Sequence, residues 1–107
     1  MVRIAVVEDS IADWTTLSDH LDRYGKTKSE KFSISRFPDG MDFISDYKVD
    51  FDIILMDIDM PHMNGLDTAR RLRQVDEGVA LIFITNLAQY AINGYEVRAL
   101  DFIVKPV

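Results

Sequence analysis

Short aliphatic runs alternate with amphipathic segments along the whole chain. Most of the runs are almost continuously apolar, which is typical of strands that are covered on both faces. One run, Phe32–Phe37, instead alternates between apolar and polar residues and predicts an edge strand. The runs together predict five strands, which are Val2–Val7, Phe32–Phe37, Phe51–Met56, Val79–Ile84 and Phe102–Val104.

The segments between the runs carry apolar residues at spacings of three and four, which predict helices. We expect Gly25 to end the first helix and residues 26–31 to form a polar loop. The turn Pro38–Gly40 precedes a short second helix, and the segment Pro61–Gly65 leads into the third. The predicted apolar faces are Ile11, Trp14, Leu17, Leu21 and Tyr24; Phe43, Ile44 and Tyr47; Leu66, Ala69 and Leu72; and Ala88, Ala91, Ile92 and Tyr95.

The resulting order of elements, βαβαβαβαβ, predicts an α/β fold in which a parallel sheet lies between layers of helices. Because the second strand has edge character, we expect a flavodoxin-like, doubly wound, five-stranded sheet in the order 2-1-3-4-5. In that order the chain reverses its direction of winding between strands 1 and 3. A crevice opens at this point beyond the carboxyl ends of the strands, and ligands bind there.

Composition narrows the class of protein. With 107 residues, 48% of them hydrophobic, the chain fits one domain over residues 1–107. The absence of cysteine excludes disulfides and thiolate metal sites. No apolar run approaches the roughly 20 residues that a membrane helix needs, so we expect a cytoplasmic protein without membrane contact. The net charge of −6 argues against direct nucleic-acid binding, which needs a basic surface.

Polar side chains follow four of the predicted strands at one edge of the sheet. Glu8 and Asp9 come directly after strand 1 and Asp57 after strand 3, so three carboxylates are expected at the crevice. Such carboxylates repel one another and call for a cation, and an open site of oxygen ligands suits Mg²⁺. Thr85 and Lys105 follow strands 4 and 5 and can neutralise phosphoryl oxygens. We therefore expect Asp57 to act as a nucleophile toward phosphorus.

Each of these residues also has an ordinary structural explanation. Asp9 or Ser10 can cap the first helix, and Thr85 can cap the fourth. Lys105 and Asp57 can be solvated charges. Capping does not require residues from four strands to meet at one crevice, so their joint placement favours a site.

Four segments resemble a known family, namely EDS at Glu8–Ser10, ILMDIDMPHMNG at Ile53–Gly65, FIT at Phe83–Thr85 and IVKP at Ile103–Pro106. In these segments the chain resembles the receiver domains of response regulators in two-component signalling. The resemblance spans the whole chain. The segment Tyr90–Pro106 further resembles receivers of the LytTR (LytR/AlgR-like) class, whose members usually carry a C-terminal DNA-binding domain.

The resemblance implies a phosphorylation-dependent signalling switch. Asp57 would accept a phosphoryl group from a sensor histidine kinase, and the resulting change of shape would be relayed to an output domain. Glu8, Asp9 and Asp57 would bind Mg²⁺ together with the main-chain carbonyl of Asp59. The domain would not be an enzyme beyond self-phosphorylation from a phosphodonor and self-dephosphorylation.

The resemblance also implies how the switch works. Thr85 and Lys105 would bind the phosphoryl group, and the peptide bond between Lys105 and Pro106 would be cis. Phe102 stands at the position of the switch aromatic, which turns inward when Thr85 moves. A phosphoryl group adds close to two negative charges, so these contacts exist in one state only and bias the helix after strand 4. Plain core packing is the alternative role for Phe102.

Some positions depart from the family pattern or stand outside it. Asn86 occupies a position where receivers usually have Ala or Ser, which predicts narrower access to the phosphoryl group. The side chain of Asp59 is expected to be a solvated acid at the rim. His20 and His62 are expected to be exposed residues rather than phosphate carriers.

Receivers normally continue past the Lys-Pro pair into a fifth helix, whereas this sequence ends at Val107. We therefore expect the fifth helix to be missing and one face of the sheet near strands 1 and 5 to be uncovered. An uncovered apolar face predicts pairing between chains, such as a homodimer, or partial instability.

Other functional classes fit parts of the pattern. Asp57 and Asp59 after an aliphatic strand also resemble the nucleophile motif of haloacid-dehalogenase-like phosphohydrolases, but that motif belongs in the first strand, and Met60 and Pro61 are unusual after it. A receiver-like binding module that takes no phosphate is the second alternative, and the complete set of site residues argues against it. A flavin or nucleotide domain is disfavoured because the chain has neither a GxGxxG nor a GK[ST] loop.

Overall fold

The computed structural model describes residues Met1–Val107 as five strands and four helices. The strands are β1 (Val2–Val7), β2 (Phe32–Phe37), β3 (Ile53–Met56), β4 (Ala80–Thr85) and β5 (Asp101–Val104). The helices are α1 (Ile11–Lys28), α2 (Gly40–Ser45), α3 (Gly65–Val75) and a 3₁₀ helix (Ala88–Val97) between β4 and β5. None of the helices has both the length and the apolar composition needed to cross a membrane.

All strand pairs in the single sheet are parallel, and the order is β2-β1-β3-β4-β5. The predicted flavodoxin-like order is therefore confirmed. One row of the register runs across the whole sheet through Phe37, Val7, Met56, Phe83 and Phe102. Since β1 and β3 are neighbours, the residues that follow them leave the sheet side by side.

Two apolar clusters cover the two faces of the sheet. On β1, Ala5 and Val7 point into the larger cluster, whereas Ile4 and Val6 point into the smaller one. The larger cluster contains side chains of α2, α3 and the 3₁₀ helix, namely Phe43, Leu66, Ala69, Leu72 and Val97. The smaller cluster packs against α1 through Trp14, Leu17 and Leu21. Burial on both faces explains why β1, β3 and β4 read as continuous apolar runs.

The end of α1 was predicted wrongly. Gly25 does not end the helix, which continues to Lys28 and closes at Ser29, a residue in the left-handed region with φ 55°. Gly25 is buried, and a Cβ on it would lie 3.1 Å from the carbonyl oxygen of Glu30 and 3.6 Å from the ring of Phe32. The glycine therefore permits close packing of α1 against β2. Ile11 and Tyr24, predicted on the apolar stripe, are 70% and 55% exposed.

The last helix also differs from its prediction. Its predicted apolar face is exposed, with Ile92 at 79% and Tyr95 at 85%. The buried residues are Gly94 and Val97, which are three apart, as the 3₁₀ repeat of three residues per turn requires. A pattern fitted to 3.6 residues per turn therefore identified the wrong face. Similarly, Tyr47 lies just beyond α2 rather than within it.

Candidate functional site

The candidate site lies where β1 and β3 end. The main-chain N–H of Glu8 donates to the carbonyl of Phe37 at 3.0 Å, and that of Asp57 donates to the carbonyl of Val7 at 3.0 Å. Hydrogen bonding of the sheet thus extends one residue beyond β1 and β3. Both acids are held rigidly, and their side chains are almost completely buried.

Glu8, Asp57 and the exposed Asp9 form a compact group of acids. Each offers a carboxylate oxygen, and these oxygens lie within 4.8 Å of one another. Burial raises the pKa of Glu8 to about 7, and the nearby charge of Asp57 acts in the same direction, while the hydrogen bond from Lys105 opposes it. The three carboxylates predicted to converge do so. A close group of acids, two of them buried, is stabilised by a cation.

Lys105 supplies the positive charge nearest to these acids. Its ammonium donates to Glu8 Oε1 at 2.7 Å, to Asp57 Oδ2 at 3.0 Å and to Asp13 Oδ2 at 2.6 Å. Burial tends to lower the pKa of Lys105, but the hydrogen bonds to Asp13, Glu8 and Asp57 outweigh it and raise the pKa above its usual range. The peptide bond between Lys105 and Pro106 is cis, as expected. Lys105 is therefore a charged and firmly placed group.

Asp13 was not identified from the sequence. It lies in the first turn of α1, and its own N–H donates to the hydroxyl of Ser10, which is the N-cap of that helix. Ser10, and not Asp9, is therefore the N-cap of α1, and the carboxylate of Asp9 belongs to the acidic group. The helix α1 is the next element after β1, and Asp13 is an acid three residues after its N-cap. This position in the sequence is the signal that could have identified Asp13.

Thr85 is completely buried at the end of β4. Its hydroxyl oxygen accepts a hydrogen bond from the N–H of Leu87 at 3.3 Å. Leu87 itself is the N-cap of the 3₁₀ helix, and this helix has no side-chain cap. The alternative that Thr85 caps the helix is therefore wrong, because the hydroxyl binds inside the connecting loop.

The loop after β3 shapes the other side of the site. The N–H of Asp59 donates to Asp57 Oδ1 at 3.1 Å, which orients the buried carboxylate. Gly65 begins α3, and its N–H donates to the carbonyl of Ile58 at 3.0 Å. A Cβ at Gly65 would overlap the carbonyl oxygen of Asp57, so this approach of helix and loop requires glycine. The side chain of Asp59 is exposed.

A cleft of about 490 Å³ opens over the acids. Its walls include Asp9, Asp57, Asp59, Asn86 and Lys105. Asn86 is exposed and lines the cleft together with Lys105. The cleft is open to solvent, and its lining includes carboxylates and one ammonium.

Phe102, His20 and His62 lie outside this cleft. Phe102 is half-buried on β5, and its ring centroid is 6.0 Å from that of Phe83. His20 is exposed on α1, with a ring nitrogen 3.2 Å from the carbonyl of Val107. His62 is exposed in the loop before α3 and has a left-handed backbone with φ 68°.

Comparison with known proteins agrees with this geometry. A family model described as the response regulator receiver domain matches residues 4–107. The sensory transduction protein LytT of Bacillus subtilis is 31% identical over 106 residues, which are 99% of this chain and 43% of LytT. The chain thus spans less than half the length of this relative. The name LytT agrees with the predicted LytR-like class.

Solved structures share the fold. The non-phosphorylated HemR receiver domain from Leptospira biflexa has a TM-score of 0.85 and 26% identity, covering 100% of this chain and 84% of that chain. The BeF3-activated receiver domain of DrrB, a Thermotoga maritima protein, has a TM-score of 0.83 and 25% identity, covering 100% and 86%. These matches favour a signalling module over a phosphohydrolase. Its sheet order, its acidic strand ends and its match to the family model show that this chain belongs to the response regulator receiver domain family.

Proposed function

We propose that this receiver domain is switched by phosphorylation of Asp57. The observation that carries the proposal is the meeting of Glu8, Asp9 and Asp57 within 4.8 Å beside the ammonium of Lys105. A carboxylate oxygen of Asp57 attacks the phosphorus of a donor, and the bond from phosphorus to the donor's leaving group breaks. The product is an aspartyl phosphate that remains on the domain until water hydrolyses it.

The acidic group fits a Mg²⁺ ion. Its donors are hard carboxylate oxygens at an open cleft, which is the setting in which Mg²⁺ retains several waters. We assign Glu8, Asp9 and Asp57 as side-chain ligands and the main-chain carbonyl of Asp59 as a further ligand. The bound ion would offset the repulsion between the acids and an incoming phosphate. The N–H of Asp59 donates to one carboxylate oxygen of Asp57, and the other carboxylate oxygen lies beside Lys105.

Lys105 and Thr85 are proposed to bind the transferred phosphoryl group. The ammonium of Lys105 lies 3.0 Å from Asp57 Oδ2, so it is close to the oxygens of any group attached there. The hydroxyl oxygen of Thr85 accepts from Leu87, and its O–H can donate to a phosphoryl oxygen. Positive charge and fixed donors around the transferred group are what phosphoryl transfer needs.

The signal is proposed to leave the site through β4 and β5. Movement of Thr85 toward the phosphoryl group would shift the start of the 3₁₀ helix, because Thr85 holds the N–H of Leu87. Phe102 lies on the adjacent strand, paired in register with Phe83. We propose that Phe102 turns inward as Thr85 moves and that, without a hydroxyl, it acts through its bulk alone.

Family membership supports the choice of partners. We propose a sensor histidine kinase as the phosphodonor, a cytoplasmic location and, in the whole protein, a DNA-binding output domain of the LytTR class. A net charge of −6 makes direct nucleic-acid binding by this domain itself unfavourable. Ile103 and Val104 on β5 are 36% and 47% exposed, and we propose that this part of the sheet takes part in a homodimer.

The proposal is tested by incubating the purified domain with Mg²⁺ and acetyl phosphate and measuring its intact mass. A single phosphoryl adduct is expected, labile to hydroxylamine as an acyl phosphate is. Asp57→Asn should abolish the adduct, and removal of Mg²⁺ by a chelator should slow its formation. A wild-type domain that stays unmodified would overturn the proposal.

Asp59→Asn provides the matched control, since it removes an exposed acid two residues away and retains the main-chain carbonyl. This variant should still form the adduct. The same pair of variants separates a switch from a phosphohydrolase that uses both acids. Repeated turnover of a small phosphoester by the wild type, lost in both variants, would favour the enzyme.

A further inference from the structure

We infer that Arg36 is a positioning residue for Mg²⁺ binding, because its guanidinium holds the main-chain carbonyls of Glu8 and Asp9. Nothing in the sequence pattern singled it out. The inference rests on the proposed Mg²⁺ site and goes further, since it assigns the preorganisation of that site to a side chain from the edge strand β2.

The geometry links β2 to the loop that carries two of the acids. Arg36 stands beside Val6 in the register of β1 and β2, one residue before the end of both strands. Its Nη2 donates to the carbonyl of Glu8 at 3.1 Å and to the carbonyl of Asp9 at 3.3 Å. With the bond from Glu8 N–H to Phe37, β2 holds this loop at three points.

The guanidinium is itself held in place. Its central carbon lies 6.0 Å from the ring centroid of Trp14 on α1, within the range of a cation–π contact. Its Nε is buried and has no hydrogen-bond partner. An unpaired buried donor costs free energy, so the two carbonyl contacts and the contact with Trp14 are what stabilise the arginine here. Both carbonyl contacts come from one nitrogen, Nη2, at the end of a planar guanidinium that lies over Trp14.

Two effects of Arg36 on Mg²⁺ binding have opposite signs. A positive charge next to a cation site repels the ion, so charge alone predicts that removal of Arg36 tightens binding. A clamp that holds Glu8 and Asp9 in the binding geometry predicts that removal weakens binding. Groups that orient metal ligands in other proteins are worth about 10- to 100-fold in metal affinity. The sign of the change therefore identifies which effect dominates.

The test is calorimetric titration of the domain with MgCl₂. Arg36→Met should weaken Mg²⁺ binding by about tenfold, in line with the known effect of ligand-orienting groups. Arg36→Lys keeps the charge and loses the planar guanidinium that lies over Trp14, so its affinity should also fall. Arg23→Met removes an exposed charge from α1 and should leave the affinity unchanged. Without Mg²⁺, the NMR resonances of the amides of Glu8 and Asp9 should shift in Arg36→Met and Arg36→Lys. They should not shift in Arg23→Met.

The outcomes separate this inference from the proposed function. If the wild type does not bind Mg²⁺, both the proposed Mg²⁺ site and the role of Arg36 are wrong. A wild type that binds, with equal or tighter binding by Arg36→Met, would overturn the role of Arg36 and leave the metal site intact. Thermal unfolding checks that each variant is folded. If Arg36→Met is not folded, the Mg²⁺ affinity of Arg36→Lys is compared with that of the wild type instead. Weaker binding by Arg36→Lys then supports the role of Arg36, and equal or tighter binding overturns it.

Discussion

The carboxylate of Asp13 lies 2.6 Å from the ammonium of Lys105, the shortest of the three contacts that this lysine makes with acids. An ammonium has three N–H donors, and all three are directed to carboxylates. Any contact between Lys105 and a phosphoryl group must therefore replace one of these bonds. Of the three acids that Lys105 contacts, Asp13 is the one that does not belong to the group formed by Glu8, Asp9 and Asp57. Its side chain is 43% exposed.

Asp13→Asn is expected to favour the phosphorylated state. The variant replaces the ion pair with a weaker hydrogen bond to a neutral amide oxygen, and it removes a negative charge that opposes the phosphoryl group. Partly exposed ion pairs are worth about 1 kcal/mol or less, so the lifetime of the adduct should increase by about fivefold or less. Decay of the phosphorylated domain, followed by intact mass, measures this.

Asp19→Asn is the control, because it removes an exposed acid from the same helix. It should leave the lifetime of the adduct unchanged. If Asp13→Asn shortens the lifetime instead, Asp13 holds Lys105 in its working position and does not compete for it.

Lys105→Met should destabilise the metal-free domain and make its stability depend strongly on Mg²⁺. The variant leaves the buried carboxylates of Glu8 and Asp57 without their positive partner. Removal of one partner from a buried ion pair costs about 3–5 kcal/mol. Urea unfolding with and without MgCl₂ should show a larger stabilisation by Mg²⁺ in the variant than in the wild type, since the ion replaces the lost charge. Lys48→Met, at an exposed position, should behave as the wild type.

The sheet and most of the site could be predicted because both depend on strand ends. Aliphatic runs mark β1, β3 and β4, and the residues after them carry the chemistry. The proximity of Glu8, Asp57 and Lys105 could therefore be predicted from the order of the strands. Their contacts follow from the parallel register, which brings the carboxyl ends of neighbouring strands to one edge.

Asp13 and Arg36 could not be found in this way, because neither stands at the end of a strand. Asp13 reaches the site from the first turn of a helix, and Arg36 reaches it by the length of its side chain from within β2. Such contacts depend on rotamers and on packing between elements. The end of α1 was misjudged for a related reason, since close packing against Phe32 also favours glycine at position 25.

Tyr47→Phe should lower the free energy of unfolding below pH 10. Above pH 10, the free energy of unfolding of the variant should depend less on pH than that of the wild type. The Tyr47 hydroxyl donates to Asp76 Oδ2 at 2.6 Å. Burial, followed by this hydrogen bond, raises the pKa of Tyr47 above its usual value. Hydrogen bonds to charged groups contribute about 1.5–3 kcal/mol, so the loss should be of that size.

The pH dependence follows from the direction of that shift. Because the folded pKa of Tyr47 is raised, its contribution is fully present below the unfolded value of about 10 and is lost as the pH rises toward the folded value. The free energy of unfolding of the wild type should therefore fall more steeply above pH 10 than that of Tyr47→Phe. A constant difference between the two up to strongly alkaline pH would contradict this, and Tyr95→Phe, at a position 85% exposed, is the control.

Gly65→Ala should damage both the stability and the phosphorylation of the domain. A Cβ at this position would overlap the carbonyl oxygen of Asp57 and lie 2.8 Å from the Cα of Ile58, so the loop or α3 must move. Overpacking of this kind costs about 1–3 kcal/mol. The displaced atoms belong to Asp57, the proposed phosphoacceptor, and to Ile58, so the rate of adduct formation should fall even where the variant remains folded.

Gly78→Ala separates this local effect from the general effect of replacing glycine. A Cβ at Gly78 meets no atom within 4 Å, and no glycine in the chain has a positive φ. Its stability should change by about 0.5 kcal/mol or less, and its rate of phosphorylation should equal that of the wild type. If Gly65→Ala and Gly78→Ala were phosphorylated at the same rate, the backbone at the start of α3 would tolerate a displacement without moving the carboxylate of Asp57. We expect different rates, because the N–H of Gly65 donates to the carbonyl of Ile58, the residue next to Asp57, and a shift of Gly65 therefore moves the backbone beside that carboxylate.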